Sequence, residues 1–129
     1  MITAVIRQEV DFEAVPARVY EATTDSTHFS AFTGLPPTIH REPGGTFTCF
    51  GGQIAGRVLD LVPEERTVQA WHASMWPEGH YSIVRFELKK RAEGTRLTLE
   101  HSGFPKESRV HLDGGWARMY WEPLKKYLR

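Results

Sequence analysis

The sequence predicts an α+β fold in which a curved antiparallel sheet packs against one long C-terminal helix, and three observations carry that expectation. The first is the stretch from Lys106 to Leu128. On a wheel of about 100° per residue, Val110, Ala117, Tyr120, Trp121, Leu124 and Leu128 share one arc, with His111, Arg118, Glu122, Lys125 and Arg129 opposite. The second is residues 38–103, where short segments of period-two alternation are separated by turn residues. The third is the order itself: a strand, two short helices, several strands, then the long helix. A sheet with one dry face and a helix with one apolar arc each need cover, and each supplies it for the other.

In chain order, residues 2–12 (ITAVIRQEVDF) alternate and read as a first strand. Pro16 opens a short helix to about Thr24, with Val15, Val19 and Ala22 on one face. Asp25 or Ser26 can cap a second short helix through His28, Phe29 and Phe32, ended by Gly34 and Pro36-Pro37. Strands are then expected at Ile39 to Arg41, Thr46 to Phe50, Gln53 to Val62, Arg66 to Ser74, Tyr81 to Arg91 and Thr95 to Ser102. In the last two, Val84, Phe86, Leu88, Leu97 and Leu99 form the dry face, which His101 shares, while Arg85 and Glu100 lie on the wet one. The strand from Gln53 to Val62 is mixed on both faces, and Val68 and Ala70 point opposite to Trp71, so a bulge or a closed, curved sheet is expected there. In the final helix, Gly114 and Gly115 each cost about 1 kcal/mol relative to alanine. A close passage over a neighbouring strand would account for them, ahead of a hinge. Pro123 removes one backbone hydrogen bond.

Composition narrows the function. The 129 residues suit a single domain over 1–129, and 16 Lys+Arg against 16 Asp+Glu give no net charge and no basic block, which argues against nucleic acid or an anionic membrane as partner. The lone Cys49 leaves no intramolecular disulfide, and no leader-like or membrane-spanning run is present, so the cytoplasm is the expected location.

Site chemistry is sparse. His28, His40, His72, His80, His101 and His111 form no HxH, HExxH or helical i, i+4 ligand pair, so no metal or other cofactor is expected, although His72, His80 and His101 lie where two could converge. There is no GxSxG elbow or phosphate loop, and Cys49 has no neighbour that would activate it, so no catalytic residue is assigned. The aromatic set is richer. Phe47, Phe50, Trp71, Trp76, Phe86, Trp116, Tyr120 and Trp121 either fill the core or line a pocket.

The segments VYEATTDSTHFSAFTG (19–34), GGTFTCFGGQIAGRVLDLVP (44–63), VQAWHASMWPEGHYSIVRFEL (68–88), LTLEHSGFP (97–105) and GWARMYWEPLKKYL (115–128) resemble the START-like or SRPBCC superfamily. Within it they look most like the family related to the C-terminal domain of the activator of the ninety-kilodalton heat-shock protein ATPase. Where that family typically has arginine after the strand tryptophan, this chain has His72. The resemblance implies a helix-grip fold of about six or seven strands enclosing a hydrophobic cavity. It further implies a non-enzymatic module binding a small apolar or lipid-like ligand, with Phe47, Trp71, Trp76, Val84, Phe86, Leu97, Leu99, His101, Trp116 and Tyr120 lining the space. A co-chaperone or stress-response protein, with a heat-shock chaperone as partner, is the alternative it implies, and a cyclase- or hydrolase-type enzyme a third. The chain is expected to be a monomer or weak homodimer.

Overall fold

A computed structural model describes residues 5–25, 28–29, 38–50 and 53–128. The chain runs β1 (Val5–Phe12), α1 (Pro16–Thr24), β2 (Thr38–Ile39), β3 (Thr46–Cys49), β4 (Ile54–Val62), β5 (Arg66–Ala73), β6 (Ser82–Arg91) and β7 (Gly94–Ser102). A 3-10 turn (Lys106–Ser108) leads into α2 (Arg109–Trp116), a π-helical turn (Ala117–Trp121) and α3 (Glu122–Leu128), which together form the expected long helix. Strand limits lie within a residue or two of those read from the pattern, the usual uncertainty of element ends, except that residues 2–4 of the expected first strand lie outside the described residues. Apart from His28 and Phe29, the second short helix expected after α1 lies outside the described residues.

All seven strands form one sheet in the order β1-β7-β6-β5-β4-β3-β2, antiparallel throughout. It is a meander from β2 to β7 with β1 added beside the last strand, so the fold is the helix-grip α+β arrangement. Ile6, Phe12, Phe47, Val58, Trp71, Val84, Phe86, Leu88, Leu97 and Leu99 are buried on the helix-facing side. The opposite side carries charged rows. Arg7 pairs with Glu100 at 3.6 Å, Arg96 with Asp11 at 2.8 Å, and Arg85 with Glu87.

Two irregularities explain what simple periodicity left ambiguous. In β4 the register against β5 shifts between Val58 and Asp60, so Leu59 is an extra, exposed residue. Ile54 and Val58 face the core before the bulge and Leu61 after it, which is why the strand reads as mixed on both faces. In β5, Thr67, Gln69, Trp71 and Ala73 are the buried set. Gln69 is tolerated there because its Oε1 accepts the Trp71 indole N–H at 2.9 Å.

The long helix corrects the wheel. Val110, placed on the apolar arc, is 86% exposed, and the buried face of α2 is Trp116 with Leu112 half-buried. The cause is the π turn. Glu122 donates its N–H to the Ala117 carbonyl five residues back, so one extra residue enters the turn and the helix phase slips by about 100°. Projecting the C-terminal half backwards therefore lands on Val110 instead of Leu112. Pro123, which has no N–H to give, directly follows this turn.

The expected close passage at the glycines is also corrected. A Cβ built on Gly114 or Gly115 would meet nothing within 4 Å. Close approach occurs in the sheet instead, where a Cβ on Gly56 would lie 1.8 Å from the Ala70 carbonyl and 3.0 Å from Phe47 Cζ.

Candidate functional site: a cleft between sheet and helix

The space between sheet and helix is filled at its centre. Trp116 stacks on Trp71 with ring centroids 4.9 Å apart and on Trp121 at 5.4 Å. Phe86 meets the edges of Trp116, Tyr120 and Trp121 at 5.7, 6.0 and 6.1 Å. These offset and edge-to-face arrangements are the favoured ones for aromatic pairs.

His101 sits in this cluster with 0% exposure. Its Nδ1 accepts the Trp116 indole N–H at 3.2 Å, and its Nε2 lies 2.8 Å from Ser82 Oγ. An indole nitrogen can only donate, so Nδ1 is bare and the neutral ring carries its proton on Nε2, donated to the serine. Burial pushes its pKa down to about 4. The ring is thus a satisfied, neutral core group.

Gln8 anchors the helix from the other side. Its Nε2 donates to the Asp113 carbonyl at 3.0 Å and to Asp113 Oδ1 at 2.8 Å, and its Oε1 accepts the Trp121 indole N–H at 2.8 Å.

Toward β3 and β4 the filling stops, and a cleft of about 230 Å³ remains. Phe50, Gln53, Ile54 and Trp71 form its sheet wall, and Leu112, Gly115, Trp116, Met119 and Tyr120 its helix wall. Phe50 reaches this position through a left-handed backbone, φ 55°, an uncommon conformation for a bulky residue. His111 and Arg118 stand on the rim, both exposed, and Met119 is 39% exposed, so the cleft opens to solvent along this edge.

Of the residues expected to line a cavity, the structure brings Trp71, Trp116 and Tyr120 to the cleft. Phe47, Val84, Phe86, Leu97, Leu99 and His101 are buried in the core, and Trp76 is buried in the connection between β5 and β6. There its indole N–H donates to Ser108 Oγ at 3.2 Å. His72 and His80 do converge, but on backbone: His72 Nδ1 lies 2.8 Å from the His80 carbonyl, and His80 Nε2 2.8 Å from that of Gly103. They tie the β5–β6 connection to the segment entering the helix. Among the described residues, no three His, Cys, Asp or Glu side chains come together as a metal site. Cys49 is buried, and desolvation raises its thiol pKa to about 12, which makes it unreactive.

Sequence reasoning missed Gln53, Ile54, His111, Leu112, Gly115, Arg118 and Met119. For Ile54 the bulge hid the parity. For the helix residues the phase slip set the rim on the far side of the wheel.

The chain matches the family model for Activator of Hsp90 ATPase homolog 1-like protein over residues 13–129. It is 32% identical to the human activator of 90 kDa heat shock protein ATPase homolog 1 across 124 residues, which are 96% of this chain and 37% of that protein. The chain thus spans little more than a third of that relative's length. Among solved structures, an HSP90 activator from Plasmodium falciparum has a TM-score of 0.89 at 22% identity, covering 96% of this chain and 95% of that one. The Aha1 dimer from Colwellia psychrerythraea has a TM-score of 0.82 at 19% identity, covering 97% and 96%. These two share the fold. No helix among the described residues is long and apolar enough to cross a membrane. With nearly its whole length matched by one family model, on a START-like helix-grip fold, the chain belongs to the family of Activator of Hsp90 ATPase homolog 1-like proteins.

Proposed function

We propose that the chain is a non-enzymatic binding module whose cleft between sheet and C-terminal helix holds a small apolar guest. The observation that carries this reading is the interruption of an otherwise filled aromatic interface by an open cleft with apolar walls. Its volume, about 230 Å³, lies below the range of about 300–1,000 Å³ that holds drug-sized ligands, so the guest is small and not a long-chain lipid. A binding role fits the polar groups of the centre, His101, Ser82, Gln69 and Gln8, which are occupied with one another and with indole N–H groups. The test is native mass spectrometry of freshly purified protein, followed by organic extraction and uptake of an environment-sensitive dye. A bound small mass or dye uptake supports the proposal. A protein that carries no guest and takes up no dye removes it.

A second reading has its own support. Family membership and the human relative, named as an activator of the 90 kDa heat shock protein ATPase, favour a co-chaperone or stress-linked role in the cytoplasm. Co-purification with the 90 kDa heat-shock chaperone and a rise in its ATPase rate on adding this chain are the expected outcomes. Absence of both rules the reading out.

A further inference from the structure

Gly115 lies between His111 and Arg118 at spacings of four and three residues, one helix row along the rim of the cleft. Glycine inside a helix costs about 1 kcal/mol relative to alanine, and here no neighbour demands it, since a Cβ would meet nothing within 4 Å. What its absent side chain leaves is a gap between an imidazole and a guanidinium, opening onto aromatic walls. No carboxylate lines the cleft among the described residues, and Arg118 has no ion pair there. The polar side chains facing it, Arg118, His111 and the Gln53 amide, can all present N–H donors. A guanidinium beside apolar walls matches a planar oxyanion through two parallel hydrogen bonds.

Building on the apolar-guest reading above, we infer that the cleft selects small aromatic or short-chain carboxylates, the apolar part seated against Trp71 and Trp116 and the carboxylate held over Gly115 by Arg118. The proposal is tested with phenylacetate and its neutral isostere phenylacetamide, titrated calorimetrically into the wild-type chain and Arg118→Gln. Phenylacetate is expected to bind about tenfold more tightly than the amide, as one charge-assisted contact provides, and Arg118→Gln to abolish that preference chiefly by weakening the acid. Arg118 is exposed, so the variant is expected to fold, and an unchanged circular dichroism spectrum is the check. Equal binding of acid and amide, or a preference that survives Arg118→Gln, overturns the carboxylate inference and leaves the apolar cleft standing. If neither compound binds, the carboxylate inference falls, while the apolar-guest reading stands or falls on the guest and dye measurements above.

Discussion

The interface between sheet and helix has two halves built from the same residue class, and they end up differently. Around Trp116 the rings of Trp71, Trp121 and Phe86 close the space completely, and the polar tips find His101 and Gln8. A turn away, Phe50, Tyr120 and another part of Trp71 become walls of an open cleft. Aromatic content therefore does not decide between core and pocket. The helix does, because Gly115 supplies no filler and the π turn swings Met119 to a half-open position, whereas Trp116 reaches the sheet.

Truncation should expose that difference most strongly. Trp116→Ala removes five ring contacts and leaves His101 Nδ1 without its donor, so a loss of about 4 kcal/mol is expected. That corresponds to a fall in Tm on the order of 15 °C. Met119→Ala on the open side should cost below about 1 kcal/mol, since its side chain is already partly in water. Comparable losses at the two positions would erase the distinction between filled and open halves.

The closed half should also show itself through pH. The folded pKa of His101 is held down to about 4, against an unfolded value near 6.5, so between those limits the unfolded chain binds more protons. Stability is then full above about pH 6.5 and falls as the pH drops toward 4, by on the order of 3 kcal/mol. Urea melts across that window should show the slope in the wild type and a flattened one in His101→Gln.

Smaller effects test the open half and its border. Gly115→Ala should raise stability by up to about 1 kcal/mol through helix propensity, with no clash to offset it, while lowering affinity for any guest. Had the glycine served close packing, the same change would destabilise. The Cys49 thiol, buried at the end of β3, should resist Ellman's reagent in the native protein and react only at the rate of unfolding. Rapid native labelling would mean that this edge opens more than the cleft requires.

How far the sequence foretold this architecture varied with how regular each element is. In β6 and β7, Val84, Phe86, Leu88, Leu97 and Leu99 alternate with charged residues, and both strands and faces follow directly. The bulge at Leu59 and the inward Gln69 broke that logic in β4 and β5, because an extra residue inverts parity and a polar side chain satisfied by an indole N–H reads as an outward one. The long helix was legible as an element but not in phase. A π turn beside Pro123 is a backbone event with no period of its own, so Val110 was placed inward and the rim residues His111 and Arg118 outward. The candidate site lies beside the π turn, between it and the start of β4. Of the ten residues expected to line a cavity, Trp71, Trp116 and Tyr120 stand at this cleft, and its rim was not among them.

Whether the cleft receives a guest while the centre stays closed can be read from the indole N–H resonances of the tryptophans. On titration with toluene, progressive, saturable shifts are expected for Trp71 and Trp116, which line the cleft, and none for Trp76, which is hydrogen-bonded to Ser108 away from it. Unchanged Trp71 and Trp116 resonances at saturating toluene, or uniform shifts of every tryptophan, would contradict that expectation.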